Sequence, residues 1–180
     1  MNAIAHLKAL ADYNLWINAR LLDAAERLST DERNRDLGAF FGSINGTFNH
    51  LMIGDSIWLR RFATAEGRAA AFLAEHESTL APLAPLDGIV ETDAAALRRR
   101  RQDIDALISD WVGRLDTDQL DRALAYRNTQ GRPFSRQLGL LALHFFNHQT
   151  HHRGQISTLL FQSGIDPGVT DLLARIPEIV

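Results

Sequence analysis

Four of the chain's seven histidines crowd into LHFFNHQTHHRGQIS, residues 143–157. His144, His148 and His152 recur every four residues, and His151 adjoins the last of them. Imidazoles at i and i+4 project from one helical face a turn apart, so they can ligate one metal ion. Two ligands are too few, because catalytic zinc-like sites generally use three protein ligands and keep a position for water or substrate. His50, within SINGTFNHLMIGDSIWLRR (43–61), is the best third ligand. It is flanked on its own face by Gly46 and Gly54. A mid-helix glycine costs about 1 kcal/mol relative to alanine. The pair therefore marks a place where something needs room: a close helix contact, or an open pocket over His50.

A helical wheel sorts the four clustered histidines. With His148 as origin and about 100° per residue, Leu138, Leu141, Phe145, Ile156, Leu159 and Leu160 share one apolar arc. His152 falls inside that arc at about +40°, and His148 borders it. His144 and His151 lie outside, at about −40° and −60°. The expected metal ligands are thus His50, His148 and His152. His144 and His151 are left as candidate acid/base or second-layer residues at the edge of the site, or as surface. Gln155 faces the site and could hydrogen-bond a ligating imidazole. Arg153 points away, towards a salt bridge or an interhelical contact. Asp55 stands about 140° from His50 on its own helix, too far round to reach the metal. The sequence reads HQTHH and not HExxH, so the glutamate base of a metalloprotease is missing. Hydrolysis would have to recruit another base, with Asp55, His144 and His151 as candidates.

The elements that position these residues follow from periodicity. The first 28 residues read as one amphipathic helix, with Tyr13, Trp16 and Asn18 as candidate pocket lining. STDE (29–32) has the capping-box pattern. A second helix runs from near Ser43 to about Phe62. The segment from Gly67 to Glu91, with Pro82, Pro85 and Gly88, reads as a loop holding one short helix at most. Thr92-Asp93 caps a third helix to about Leu115, and Trp58 and Trp111 read as core. ALAYRNTQGRPF (123–134) suggests two extended arms turning at Thr129-Gln130-Gly131. A fourth long helix is expected from Ser135 to about Ser163, ending at Gly164, then a short final helix in DLLARI. These elements predict an all-α fold: an antiparallel four-helix bundle in one domain over 1–180, with a small hairpin before the fourth long helix. Such bundles build metal and cofactor sites from side chains on facing helices. Leu140, Leu143 and Phe161 fall on another side of the fourth helix, which suggests burial against a partner subunit.

Composition narrows the function. A formal net charge of −3 argues against a nucleic-acid binder. The run Arg98-Arg99-Arg100-Arg101 wraps around a helix and reads as a solvated, salt-bridged surface. No apolar run approaches the roughly 18 residues that a membrane span needs, and no secretory signal is visible, so a cytoplasmic address is expected. The chain has no cysteine, which removes disulfides, zinc fingers and any thiolate nucleophile of its own.

FNHQTHHRGQIS, together with the upstream His50, resembles the signature of the DinB/YfiT-like metalloenzymes, a four-helix-bundle family distinct from the DNA polymerase of similar name. YNLWIN (13–18) is similar to that family's first-helix motif, and GIDPGVTDLL (164–173) to its C-terminal ending. The resemblance spans nearly the whole chain and places the family's metal ligands on His50, His148 and His152. It implies a divalent ion, usually nickel or zinc, with open coordination positions, and frequent homodimers. It also implies a low-molecular-weight thiol as cosubstrate, since characterised relatives include thiol-dependent S-transferases and an isomerase. The expected activity is thiol transfer to a small-molecule electrophile. The alternatives are hydrolysis by metal-activated water and a non-catalytic metal-binding module.

Overall fold

The computed structural model describes residues 3–178. Among these residues the structure is mostly helical, with seven α-helices and one two-stranded sheet. Four helices are long: α1 (Ala3–Ala25), α3 (Ile44–Phe62), α5 (Ala94–Arg114) and α7 (Leu138–Gln162). The short ones are α2 (Thr30–Asn34), α4 (Arg68–Glu75) and α6 (Thr117–Asp121). The sheet pairs β1 (Ala123–Arg127) with β2 (Pro133–Gln137) in antiparallel register. α1 packs against α5 and α7, and α3 packs against the same two helices.

Local chemistry sets most boundaries. Ser43 and Asp93 cap α3 and α5 by accepting from the backbone N–H of Gly46 and Ala96. Ser29 and Glu32 complete the capping box of α2. α7 stops in a Schellman motif: Gly164 takes φ +79°, and Ile165 N–H returns to the Leu160 carbonyl at 2.9 Å. At the centre, Phe62 of α3 stacks on Trp111 of α5 at 4.7 Å, and Phe145 of α7 meets Phe62 edge-on at 5.8 Å.

Several expectations need correction. α1 ends at Ala25, not Leu28, although Leu28 is still buried. β2 continues through Gln137, so the fourth long helix starts at Leu138 and not at Ser135. α6 was not anticipated, yet Asp116 and Gln119 give it a full capping box. DLLARI forms only a 3-10 turn, Leu172–Arg175. Trp58 is half-buried where a core position was expected. The arginine run is not all surface either. Arg98 pairs with Asp23 and Glu26, and Arg100 with Glu91, but Arg101 is only 1% exposed.

Arg101 reaches Asp55 at 2.6 Å and Asp105 at 2.9 Å. Asn14 and Asn18 donate to the same Asp105 carboxylate at 2.8 and 3.0 Å. Arg153, also buried, donates to Asn14 Oδ1 and to Thr150, and lies over the Tyr13 ring. This interior network, with two guanidiniums against two carboxylates, ties all four long helices together. It also accounts for Tyr13 and Asn18, which brace the helices and do not reach the clustered histidines.

Candidate metal centre

α3 and α7 carry the three inward histidines to one point. His50 Nε2 lies 3.2 Å from His148 Nε2 and 3.1 Å from His152 Nε2, and the third edge is 3.1 Å. His50 and His152 are buried and His148 is half-buried.

Two of the three tautomers are set by their neighbours. A carbonyl oxygen only accepts, so Leu86 O at 2.8 Å requires the proton of His50 on Nδ1. Gln155 Oε1, at 2.7 Å, places the proton of His152 on Nδ1 as well. Both Nε2 atoms therefore turn lone pairs towards the same point, where they repel unless a cation sits between them. Burial holds all three imidazoles neutral. It pushes His50 and His152 below the usual histidine range, and burial together with the neighbouring histidines takes His148 down to about 3.

The spacing fits a metal. Nitrogens about 2.1 Å from one ion stand about 3.0 Å apart at right angles and about 3.4 Å apart at tetrahedral angles. The three edges fall between these limits, and the nitrogens form a group that could hold a metal ion. Neutral imidazole is the donor form that zinc, nickel, copper and iron accept.

The flanking residues explain the glycines. A β-carbon at Gly54 would stand 3.0 Å from His148 Cε1, so its absence makes room for that ring. A β-carbon at Gly46 would overlap the Phe41 carbonyl oxygen. The turn containing Gly38 and Gly42, both at positive φ, brings Phe41 flat onto His50 at 3.7 Å and edge-on to His152 at 5.4 Å. Phe41 and Leu86 had no signal in the sequence, because both come from connecting segments whose path periodicity does not set.

The remaining candidates sit around this cluster. His144 is largely exposed, 6.2 Å from His148 by ring centroids, and the burial of part of its ring, followed by Arg136 and Arg61, lowers its pKa. His151 is exposed, 4.8 Å from the His152 ring. It borders a cleft of about 420 Å³ that Gln155 and Phe40 also line. A cleft of about 600 Å³ beside α4 and α5, which His76 lines, includes none of His50, His148 and His152. Asp55 is bound to Arg101 and is not one of the group that could hold a metal ion.

The model of the DinB family matches residues 1–178. The chain is also 26% identical, over 162 residues, to Protein DinB of Bacillus subtilis (strain 168), which covers 90% of this chain and 88% of that protein. No solved structure matches it. With the family model matched across nearly its full length, and three histidine nitrogens gathered between α3 and α7, the chain belongs to the DinB family.

Proposed function

We propose that this chain is a divalent-metal-dependent enzyme that joins a low-molecular-weight thiol, through its sulfur, to a small-molecule electrophile with loss of a leaving group. In this reading the four long helices form a bundle around a nickel or zinc site held by His50, His148 and His152. The observation that carries it is the triangle of Nε2 atoms, two of them fixed as lone-pair donors by Leu86 and Gln155. A divalent ion bound there supplies Lewis acidity, lowering the pKa of a thiol in the way that it lowers that of water.

The protein's own groups do the rest. Phe41, stacked on His50, keeps water from that face of the ring. His144, with its pKa pushed down, is a neutral base at the rim and would take the thiol proton at its free ring nitrogen. His151, on the cleft side, would hydrogen-bond the departing leaving group. With no cysteine in the chain, the sulfur comes from a cosubstrate. For the alternative of hydrolysis, Asp55 is not available as the base, because Arg101 holds it. Leu140, Leu143 and Phe161, all exposed on α7, support a homodimer.

Metal analysis of protein purified without added metal or a histidine tag tests the site. About one equivalent is expected in the wild type and in His151→Ala, and little in His50→Ala or His152→Ala. Equal metal in all four would remove the assignment. Thiol consumption with an aryl halide acceptor tests the reaction: the wild type should be active and His50→Ala inactive. Equal rates in the two proteins would refute it.

A further inference from the structure

A run of rings leads away from the histidine cluster. His144 lies 6.2 Å from His148 and 5.1 Å from Trp58 by ring centroids. Trp58 lies 5.4 Å from Tyr126, which stacks on Phe134 at 5.7 Å. The end of α3 and the hairpin converge here. Cross-strand partners share a face, and the register pairs Leu124 with Arg136 and Tyr126 with Phe134. The face that buries Leu124 therefore also carries Tyr126, Phe134 and Arg136.

Two guanidiniums cover this run. Arg61 lies over Trp58 at 4.6 Å and over Tyr126 at 5.1 Å, and Arg136 over Phe134 at 5.0 Å. Both raise the positive potential at His144. Arg60, Arg98, Arg100 and Arg101 each meet a carboxylate. Among the described residues, the side chains of Arg61 and Arg136 have neither an ion pair nor a hydrogen bond, only ring contacts. Arg61 is half-buried, and burial pulls its pKa down. A half-buried cation with no counter-charge attracts an anion, and Arg136, which is exposed, is open to one as well. Stacking also holds a guanidinium plane ready for two-pronged recognition of an oxyacid anion.

We propose that Arg61 and Arg136 form an anion subsite for a small molecule bearing a carboxylate or phosphate. Its apolar body lies on the Trp58, Tyr126 and Phe134 rings and its reactive end points towards His148. The orientation towards His148 rests on the proposed function; the anion subsite itself does not.

Calorimetric titration of chelator-treated full-length protein with benzoate, phenyl phosphate and benzamide tests it without metal or turnover. At least one anion should bind tenfold or more tighter than benzamide, and the tighter anion identifies the oxyacid. Arg61→Gln and Arg136→Gln, checked for retained helix by circular dichroism, should each weaken that anion tenfold or more. Arg61→Lys, which keeps the charge and loses the fork, should weaken it severalfold. His50→Ala should leave it unchanged. Equal binding of benzamide, or anion affinity unmoved in both glutamine variants, would overturn the subsite. Loss of binding in His50→Ala would relocate the anion to the histidines and overturn it too. Failure of thiol transfer alone would count against the proposed reaction and leave this titration to decide.

Discussion

Gly54 and His148 are matched across the contact between α3 and α7: a β-carbon on the one would stand 3.0 Å from Cε1 of the other. His148 Nδ1 finds no hydrogen-bond partner among the described residues. Its ring is therefore positioned by packing, whereas His50 and His152 are each held by a hydrogen bond. The third corner of the nitrogen triangle depends on a missing side chain.

Gly54→Ala should then separate stability from metal binding. Alanine favours the helix by up to about 1 kcal/mol, so the metal-free protein should melt no lower than the wild type, less whatever the ring's displacement costs. Metal affinity should fall about 10- to 100-fold, as it does when groups that orient ligands are disturbed. Competition against a chelator measures this, and undiminished affinity would show that His148 has freedom to spare.

Gln155 acts through His152. By accepting from Nδ1–H it keeps the lone pair on Nε2. Gln155→Leu should cost about 10- to 100-fold in metal affinity with little change in folding, while Gln155→Glu should restore or tighten binding. A leucine variant with wild-type affinity would mean that the tautomer is set elsewhere.

Proton linkage supplies a third check. His148 titrates near 6.5 when unfolded and at about 3 when folded. Between those values the unfolded chain binds the extra proton, so metal-free stability is lost as pH falls from about 6.5 towards 3. Asp105, which burial pushes up to about 6, acts in the opposite sense between 3.8 and 6. The comparison must therefore be made against His148→Ala. Urea titrations from pH 7 to pH 4 should show the wild type losing stability faster than the variant, by up to one proton's worth per pH unit. Parallel curves would contradict the depressed value.

How far all this was legible in the sequence depends on the kind of interaction. His148 and His152 stood out because period and apolar neighbours act within one helix, and His50 because two glycines broke an otherwise apolar pattern. Gly46 and Gly54 signalled a need for room, but what fills it, the Phe41 carbonyl and the His148 ring, comes from other segments. Leu86 and Phe41 were invisible for the same reason. Arg101 misled because its neighbours Arg98 and Arg100 are only half-buried and pair at the rim, whereas its own carboxylate partners are Asp55, 46 positions away on α3, and Asp105, one turn along α5. The Asp55 contact forms only when α3 and α5 pack.

That interior pairing yields the last prediction. Removing one partner of a buried ion pair strands the other and costs about 3–5 kcal/mol. Arg101→Met would leave Asp55 and Asp105 buried together, with Arg153 the nearest compensation through Asn14. It should thus cost more than Asp55→Asn, which leaves Arg101 still paired with Asp105. Burial already pushes Asp55 upward against the opposing pull of Arg101, so in the Arg101→Met variant both carboxylates should protonate and the deficit should narrow as pH is lowered from 7 to 5. The double variant Asp55→Leu/Arg101→Met should recover part of the loss, because apolar packing can replace a buried pair at little cost. Urea denaturation of the wild type and the three variants ranks these losses. If Arg101→Met lost less than Asp55→Asn, the network would be incidental to the fold, and the helices would be held by the Phe62–Trp111–Phe145 core alone.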